Sequence, residues 1–247
     1  MANKLVLKLK SPVNLTVFLK RFSPISGGLL LEIYPDCITA KSHTEDKSVI
    51  KYSRMPLVDV LEGEVKDLIK VGIHELKKVI DALKYFKETD EIHIEVKYEE
   101  VANEKIATEL LFRSSSLKIK IITADTQLFN YISPEFFKKI KDAVTSERIM
   151  DFPFPKEAFG RIGELCKIDA GDDLLSILIN EGNVSVKSKS FEYTVCDAPQ
   201  GADTDFTFYN KYFSFIEPEI SNFLVGNVRM MVTSMESDTI IVIGRVG

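Results

Sequence analysis

The 247-residue sequence is poor in cysteine, with only Cys37, Cys166 and Cys196. An odd number at these spacings matches neither a disulfide framework nor a zinc site. We therefore interpret them as small buried residues, with Cys196 as a loop thiol. The sequence also lacks the run of roughly 18 apolar residues that a membrane span requires, and its first residues alternate in polarity, unlike a secretory signal. We expect a soluble, intracellular protein without a membrane partner.

Motifs of enzyme families are missing as well. The sequence has no Gly-rich nucleotide-binding loop, no G-x-S-x-G turn and no C-x-x-C pair. His74 and Glu75 resemble the start of a helical zinc motif, but Lys78 stands where the second histidine is needed. We therefore predict no enzymatic activity, no cofactor and no metal.

Two pairs of acidic residues are the remaining candidates for a divalent ion. They lie in loops between predicted strands: Asp172, Asp173, Asp203 and Asp205. Neither pair has the additional oxygen ligands that a hard cation prefers. We interpret them as solvated loop residues.

Charge is nearly balanced, with 32 basic and 37 acidic residues, and 45% of the residues are hydrophobic. This composition is typical of a globular protein with a real core and disfavours disorder. Residues 1–125 hold 20 basic and 19 acidic side chains, whereas residues 126–247 hold 12 and 18. Total charge thus argues against general nucleic-acid binding, so the placement of the basic residues becomes the question.

The order of predicted elements occurs twice along the chain. Each copy has a strand, a helix opened by proline (Pro12 or Pro155) and a strand meander, and these prolines are 143 positions apart. We therefore predict an α+β fold made of two β-α-β-meander units. The predicted boundaries are residues 1–125 for the first domain, 126–146 for a connector with a short helical turn after Ser133-Pro134, and 147–247 for the second domain.

Every predicted helix combines an apolar stripe with a polar face that carries lysine or arginine. These basic residues are Lys20, Arg21, Lys77, Lys78, Lys84, Lys156, Lys167 and Lys211. Gly160 and Gly163 lie on the polar face of the helix that Pro155 opens, where they let another surface approach the backbone closely. Ordinary surface helices also carry lysine on the solvated side, so the pattern alone leaves both interpretations open.

The duplicated order, the basic helix faces and the connector resemble the sliding-clamp family of DNA polymerase processivity factors, over essentially the whole chain. The trimeric clamps of T-even bacteriophages are the most similar in pattern. The connector is longer and more charged than such clamps lead us to expect. The resemblance is carried by LTVFLKRFSPISGGLLLEI, by DFPFPKEAFGRIGELCKI followed by LLSILINEGNVSVKS, and by DFTFYNKYFSFIEPEISNFLVGNVRMMV.

The resemblance implies a two-domain DNA-clamp fold in a homotrimeric ring, with sheets outside and helices lining a hole for duplex DNA. The eight basic residues above would then face DNA without reading its sequence. The implied partners are DNA polymerase and a clamp loader ATPase. The implied location is the cytoplasm, of an infected bacterial host if the source is a phage.

Two further surfaces follow from the resemblance. Edge strands of neighbouring chains would pair through Leu117, Ile119, Ile121, Phe191, Tyr193 and Val195. A groove for partner peptides would contain His43, Leu128, Phe129 and Val246. Leu128 and Phe129 fit equally well as residues that pin the connector to its own domain, and both interpretations stay open.

A second class of function remains as an alternative. A duplicated α+β enzyme or small-molecule-binding protein would place its site between the two copies, near the acidic loop from Asp197 to Asp205. A trimer in solution favours the ring, and a monomer that binds a metabolite favours this alternative.

Overall fold

A computed structural model gives the structure of the chain and describes residues 3–87, 89–129, 132–171, 173–198 and 203–246. The chain forms two compact units. Unit 1 comprises Met1–Ser42 and Tyr52–Tyr131, and unit 2 comprises His43–Lys51 and Ile132–Gly247. Residues 126–131 of the predicted connector therefore belong to unit 1, and its remaining residues belong to unit 2.

Unit 1 is built on one sheet with two helices. Its strands are β1 (Asn3–Leu9), β2 (Leu29–Ile33), β3 (Cys37–His43), β4 (Val49–Pro56), β5 (Leu61–Glu62), β6 (Ile69–Ile73), β7 (Ile92–Val101), β8 (Glu104–Arg113) and β9 (Lys118–Ile122). The last residue of β3, His43, and the first three residues of β4, 49–51, belong to unit 2. The order across the sheet is β4-β3-β2-β6-β8-β7-β1-β5, and β9 pairs with β8. Its helices are α1 (Pro12–Lys20) and α2 (Leu76–Leu83).

The local sequence explains both helices of unit 1. Ser11 caps α1, since its Oγ accepts a hydrogen bond of 3.0 Å from the Asn14 N–H, and Pro12 occupies the first turn. The predicted apolar stripes are buried: Leu15, Phe18, Leu19 and Phe22 from the first helical region, and Leu76, Val79, Ile80, Leu83 and Phe86 from the second. The apolar stripe of the second helix predicts a helix over about 74–87, but α2 ends at Leu83. The chain continues from there in tight turns with hydrogen bonds between residues three apart.

Unit 2 contains two sheets and two helices. Its helices are α3 (Pro134–Ser146) and α4 (Lys156–Leu165), and its strands are β10 (Arg148–Phe154), β11 (Leu174–Asn180), β12 (Asn183–Lys187), β13 (Glu192–Asp197), β14 (Thr204–Tyr209), β15 (Ser221–Gly226), β16 (Arg229–Ser234) and β17 (Asp238–Gly244). One sheet has the order β10-β15-β16-β17, and the other has the order β13-β12-β11-β14. Cys196 therefore lies in a strand and not in the predicted loop.

Aromatic residues fill the core of unit 2. The Phe154 ring stacks on Phe223 at 4.4 Å and contacts Phe159 of α4 at 4.6 Å between centroids. The predicted apolar stripe of this helix is buried at Ala158, Phe159 and Ile162. Its last two members, Leu165 and Cys166, are only half-buried. Offset and tilted ring pairs of this kind stabilise a core beyond the area that they bury.

The connector corrects one expectation, because it contains a helix of 13 residues where the sequence predicted a short turn. Ser133 caps α3 by accepting a hydrogen bond of 3.1 Å from the Phe136 N–H. Val144 of α3 packs with Leu224 and Val242, whereas α4 packs with the alternate residues of the same strands. Since side chains alternate along a strand, α3 and α4 cover opposite faces of this sheet.

Candidate functional site

Basic side chains of α1 and α2 converge on the helix side of unit 1. Lys20, Lys77 and Lys84 are exposed. The hydrogen bond of 2.6 Å from the Lys84 Nζ to Asp81 lowers the pKa of that carboxyl, and the nearby charges of Lys77 and Lys20 act in the same direction. Three of the predicted basic residues thus act on one carboxylate, and Lys84 is the one that bonds it directly.

The other two basic residues of this helical region, Arg21 and Lys78, each bond a neighbouring side chain. Arg21 is half-buried and donates from Nη1 to the Ser53 Oγ at 3.1 Å, so it lies closer to the sheet than the helix pattern predicted. Lys78 pairs with Glu75 at 3.0 Å, with both side chains mostly exposed. An exposed pair of this kind is weak and can exchange partners.

The basic residues of unit 2 lie on and near α4. Lys156 pairs with Glu236 at 3.2 Å, and Lys167 is exposed just after the helix. The Lys211 Nζ lies 5.2 Å from the ring centroid of Tyr209 and 5.6 Å from that of Tyr212. Such positions over aromatic rings orient an ammonium group without neutralising it.

Two glycines leave part of the α4 backbone uncovered. A Cβ added at Gly160 or at Gly163 would meet no atom within 4 Å. Neither glycine is therefore needed for packing within the described part of the chain. This agrees with the expectation that another surface approaches the helix here.

The two predicted interface strands both have an open edge. Among the described residues, β9 pairs only with β8, and β13 pairs only with β12. The six predicted side chains all pack toward the core of their own unit: Leu117, Ile119 and Ile121 in unit 1, and Phe191, Tyr193 and Val195 in unit 2. Each edge thus offers free backbone groups beside an apolar layer.

Leu128 and Phe129 have different environments within unit 1. A 3-10 helix (Thr126–Leu128) is capped by Asp125, which accepts a bond of 2.9 Å from the Gln127 N–H. Leu128 is 74% exposed. The Phe129 ring lies over two glycines, because a Cβ added at Gly28 or at Gly72 would be 3.0 Å or 2.7 Å from its carbons. Phe129 therefore pins this segment to unit 1, and Leu128 does not.

Glycines in the sequence indicate the packing of Phe129, although hydrophobic periodicity does not. Helix periodicity predicts only that Gly27 and Gly28 end the first helix, and it predicts no role for Gly72. Glycine in the interior of a strand often marks a site where another group approaches the backbone closely. Ala124 makes that approach, since its N–H donates to the Gly72 carbonyl at 2.8 Å.

His43 and Val246, the other two predicted groove residues, belong to unit 2. The His43 Nδ1 lies 2.6 Å from the Thr44 carbonyl oxygen. The Val246 N–H donates to the Thr207 carbonyl at 2.8 Å, which holds the end of the described chain beside β14. The four groove residues are thus distributed over both units, and their meeting in one groove stays a prediction.

Two of the predicted loop acids, Asp173 and Asp205, have structural partners, and Asp205 lies in strand β14 and not in a loop. Asp173 accepts a bond of 3.0 Å from the Ala170 N–H, and Asp205 pairs with Arg245 at 2.8 Å. Asp172 lies outside the described residues, as do residues 199–202 of the acidic loop. Within the described ranges, no three acidic, histidine or cysteine side chains come together as metal ligands, and no helix is long and apolar enough to span a membrane.

The sequence matches no protein family model and no curated protein. The structure is similar to proliferating cellular nuclear antigen (PCNA) from Entamoeba histolytica, with a TM-score of 0.73 and 13% identity over 100% of both chains. The chain has the sliding-clamp fold.

Other clamps support this assignment of the fold. The Helicobacter pylori beta clamp bound to a DNA ligase peptide matches with a TM-score of 0.70 and 12% identity, over 100% of this chain and 67% of that chain. A. fulgidus PCNA, bound to the C-terminal region of FEN-1, matches with a TM-score of 0.69 and 9% identity, over 98% and 99%. The predicted clamp fold is therefore confirmed.

Proposed function

We propose that this chain is a sliding clamp, a non-enzymatic protein that encircles duplex DNA and tethers DNA polymerase for processive replication. The proposal depends chiefly on one observation, the whole-length likeness to PCNA and beta clamps. The helix faces add to it, because Lys20, Lys77 and Lys156 are exposed on them. Three copies would close the ring, with the helices inside.

The basic faces suit a protein that must hold DNA and still move along it. Contacts with phosphates give affinity without sequence preference. Lysines in weak surface pairs, such as Lys78, can follow passing phosphates. The net charge of −5 does not oppose this, because fields are screened within about 8–10 Å at moderate salt.

The proposed partners dock on the other surfaces. Two similar clamps are described with a bound ligase peptide and with a bound region of FEN-1. We assign the corresponding contact here to Leu128, with His43 and Val246, while Phe129 supports Leu128 from behind. A clamp loader ATPase would open the ring. The proposed location is the cytoplasm, in an infected bacterial host if the resemblance to T-even clamps reflects a phage source.

The mass of the protein in solution tests this proposal. Light scattering at micromolar concentration should give three times the 27.9 kDa of one chain. A monomer that binds a small metabolite would contradict the ring and favour a duplicated enzyme or binding protein.

A further inference from the structure

The sheet of unit 1 carries a row of alternating charges on the face opposite its helices. Lys97 of β7 pairs with Glu109 of β8 at 2.9 Å, and Glu109 pairs with Lys120 of β9 at 2.5 Å. Glu109 is only 11% exposed, and these two bonds from Lys120 and Lys97 lower the pKa of its carboxyl. The row ends at the open edge of β9 with a positive charge.

Unit 2 carries a shorter row of the same kind. Lys187 of β12 lies directly opposite Glu192 of β13, and their charged groups are 3.3 Å apart. The neighbouring Val186 and Tyr193 pack toward the core, so Lys187 and Glu192 occupy the outer face. This row ends at the open edge of β13 with a negative charge.

We propose that β9 of one copy pairs with β13 of a second copy so that Lys120 stands opposite Glu192. This inference rests on the proposed ring and adds its register. The two rows then continue across the boundary between the copies as Lys97, Glu109, Lys120, Glu192 and Lys187. Opposite charges in neighbouring strands stabilise pairing, and like charges oppose it.

The charges also fix which edges meet. Pairing β9 with another β9, or β13 with another β13, would bring together edges whose rows end in the same sign. The charges thus favour the head-to-tail contact that the resemblance to sliding clamps implies, which is the type of interface that generates closed rings.

The apolar face agrees with this register. In an antiparallel arrangement, with Lys120 opposite Glu192, the paired residues facing the cores are Ile119 with Tyr193 and Ile121 with Phe191. Leu117 then comes beside the bulge that β13 makes at Val195. A shift of one residue would turn one set of these side chains to the wrong face. A shift of two residues would place Lys120 opposite Thr194 or Ser190 and would break the alternation of charge.

Charge reversal tests the register. Lys120→Glu and Glu192→Lys should each raise the dissociation constant of the oligomer on the order of tenfold, by replacing attraction with repulsion. The double variant, with Lys120→Glu and Glu192→Lys together, again has opposite charges at the two positions, so the two effects should not multiply. Its dissociation constant should be lower than that of the single variant that associates more weakly. The measurement is sedimentation equilibrium of the four full-length proteins.

The double-mutant cycle removes effects inside one chain, such as repulsion between the introduced carboxylate and Glu109 in the Lys120→Glu variant, because they occur in both the single and the double variants. The matched control combines Lys118→Glu with Glu192→Lys. Lys118 lies on the same face of β9, two residues away, with Arg113 as its neighbour on β8. Its coupling to position 192 should be at least about threefold smaller in dissociation constant, since diagonal neighbours are farther apart.

The outcomes separate the register from the ring. Effects that simply multiply in the Lys120 and Glu192 pair, or equal coupling in the control, would overturn the register while the wild-type oligomer still supports the ring. A wild-type protein that stays monomeric at every concentration would overturn the proposed function together with this contact.

Discussion

Single glycines decide how the start of the connector is held. At Gly72 an added Cβ would be 2.4 Å from the Ala124 carbonyl oxygen and 2.7 Å from the Phe129 ring. Any larger residue would push the segment off the sheet. This anchoring holds the neighbouring Leu128 in an exposed position. Phe129 therefore fixes the backbone, and the side chain of Leu128 remains available to a partner.

Phe129→Ala should therefore lower stability by about 1–3 kcal/mol, since the ring loses its packing over the two glycines. Leu128→Ala should change stability by less than about 0.5 kcal/mol, because its side chain is mostly exposed. Urea denaturation of both variants measures the difference. Equal losses in the two variants would show that both side chains serve the same packing role.

Acid sensitivity should depend on Asp46. Burial opposes ionisation, but hydrogen bonds from Thr44, Tyr212 and Ser48 outweigh it and hold the pKa of this carboxyl well below its ordinary range. A folded-state pKa below the unfolded one stabilises the fold at neutral pH, and that stability is lost as pH falls through the folded value. Asp46→Asn should lower stability at pH 7 and reduce the loss on acidification. Glu45→Gln, at an exposed neighbour, is the control, and identical pH profiles for both variants would contradict this role.

At the scale of elements, the sequence predicted those helices and strands that hydrophobic periodicity and helix capping determine. The Ser-Pro start and the 3.6-residue stripe predict a helix where α1 lies, and the alternating polarity of EIHIEVKYEE is typical of a strand, which is β7. The length of α3 was missed, because only Phe137, Ile140 and Val144 of its face are apolar and lysines surround them. Its stability depends on packing against β15 to β17, which a local pattern does not contain.

The glycines of α4 give an element-scale prediction. Gly160→Ala and Gly163→Ala should each raise the free energy of unfolding by about 0.5–1 kcal/mol, because alanine favours the helix and both sites are open. Thermal denaturation measures this gain. If the DNA backbone approaches α4 here, the same variants should shorten the products of processive synthesis. A loss of stability would show that the backbone at these glycines is not helical or not open.

The basic helix faces give a second prediction at the scale of elements. Changing Lys20, Lys77 and Lys156 together to Glu should abolish processive synthesis by the cognate polymerase while the fold and oligomer persist, because all three side chains are exposed. The control is Lys138→Glu with Lys139→Glu on α3, which lies on the sheet face opposite α4. Unchanged processivity in the triple variant would remove DNA from these faces.

At the scale of the whole molecule, duplication was the informative signal. The repeated order of strand, proline-initiated helix and meander predicted two α+β units, and the resemblance to sliding clamps implied the clamp fold. The structure and its likeness to PCNA confirm that fold. The position of the partner groove was harder to predict from the sequence, since it depends on contacts with another protein. Charge rows such as Lys97, Glu109 and Lys120 come from different strands and become visible only once the register of the sheet is known.

Encirclement of DNA is tested by topology. After loading onto a nicked circular plasmid, the protein should remain with the DNA during gel filtration at high salt, because a closed ring cannot leave a closed circle. Cutting the plasmid once should release it, since a sliding ring runs off a free end. Retention that survives linearisation, or the absence of retention on the circle despite an active loader, would contradict a clamp that holds DNA by enclosing it.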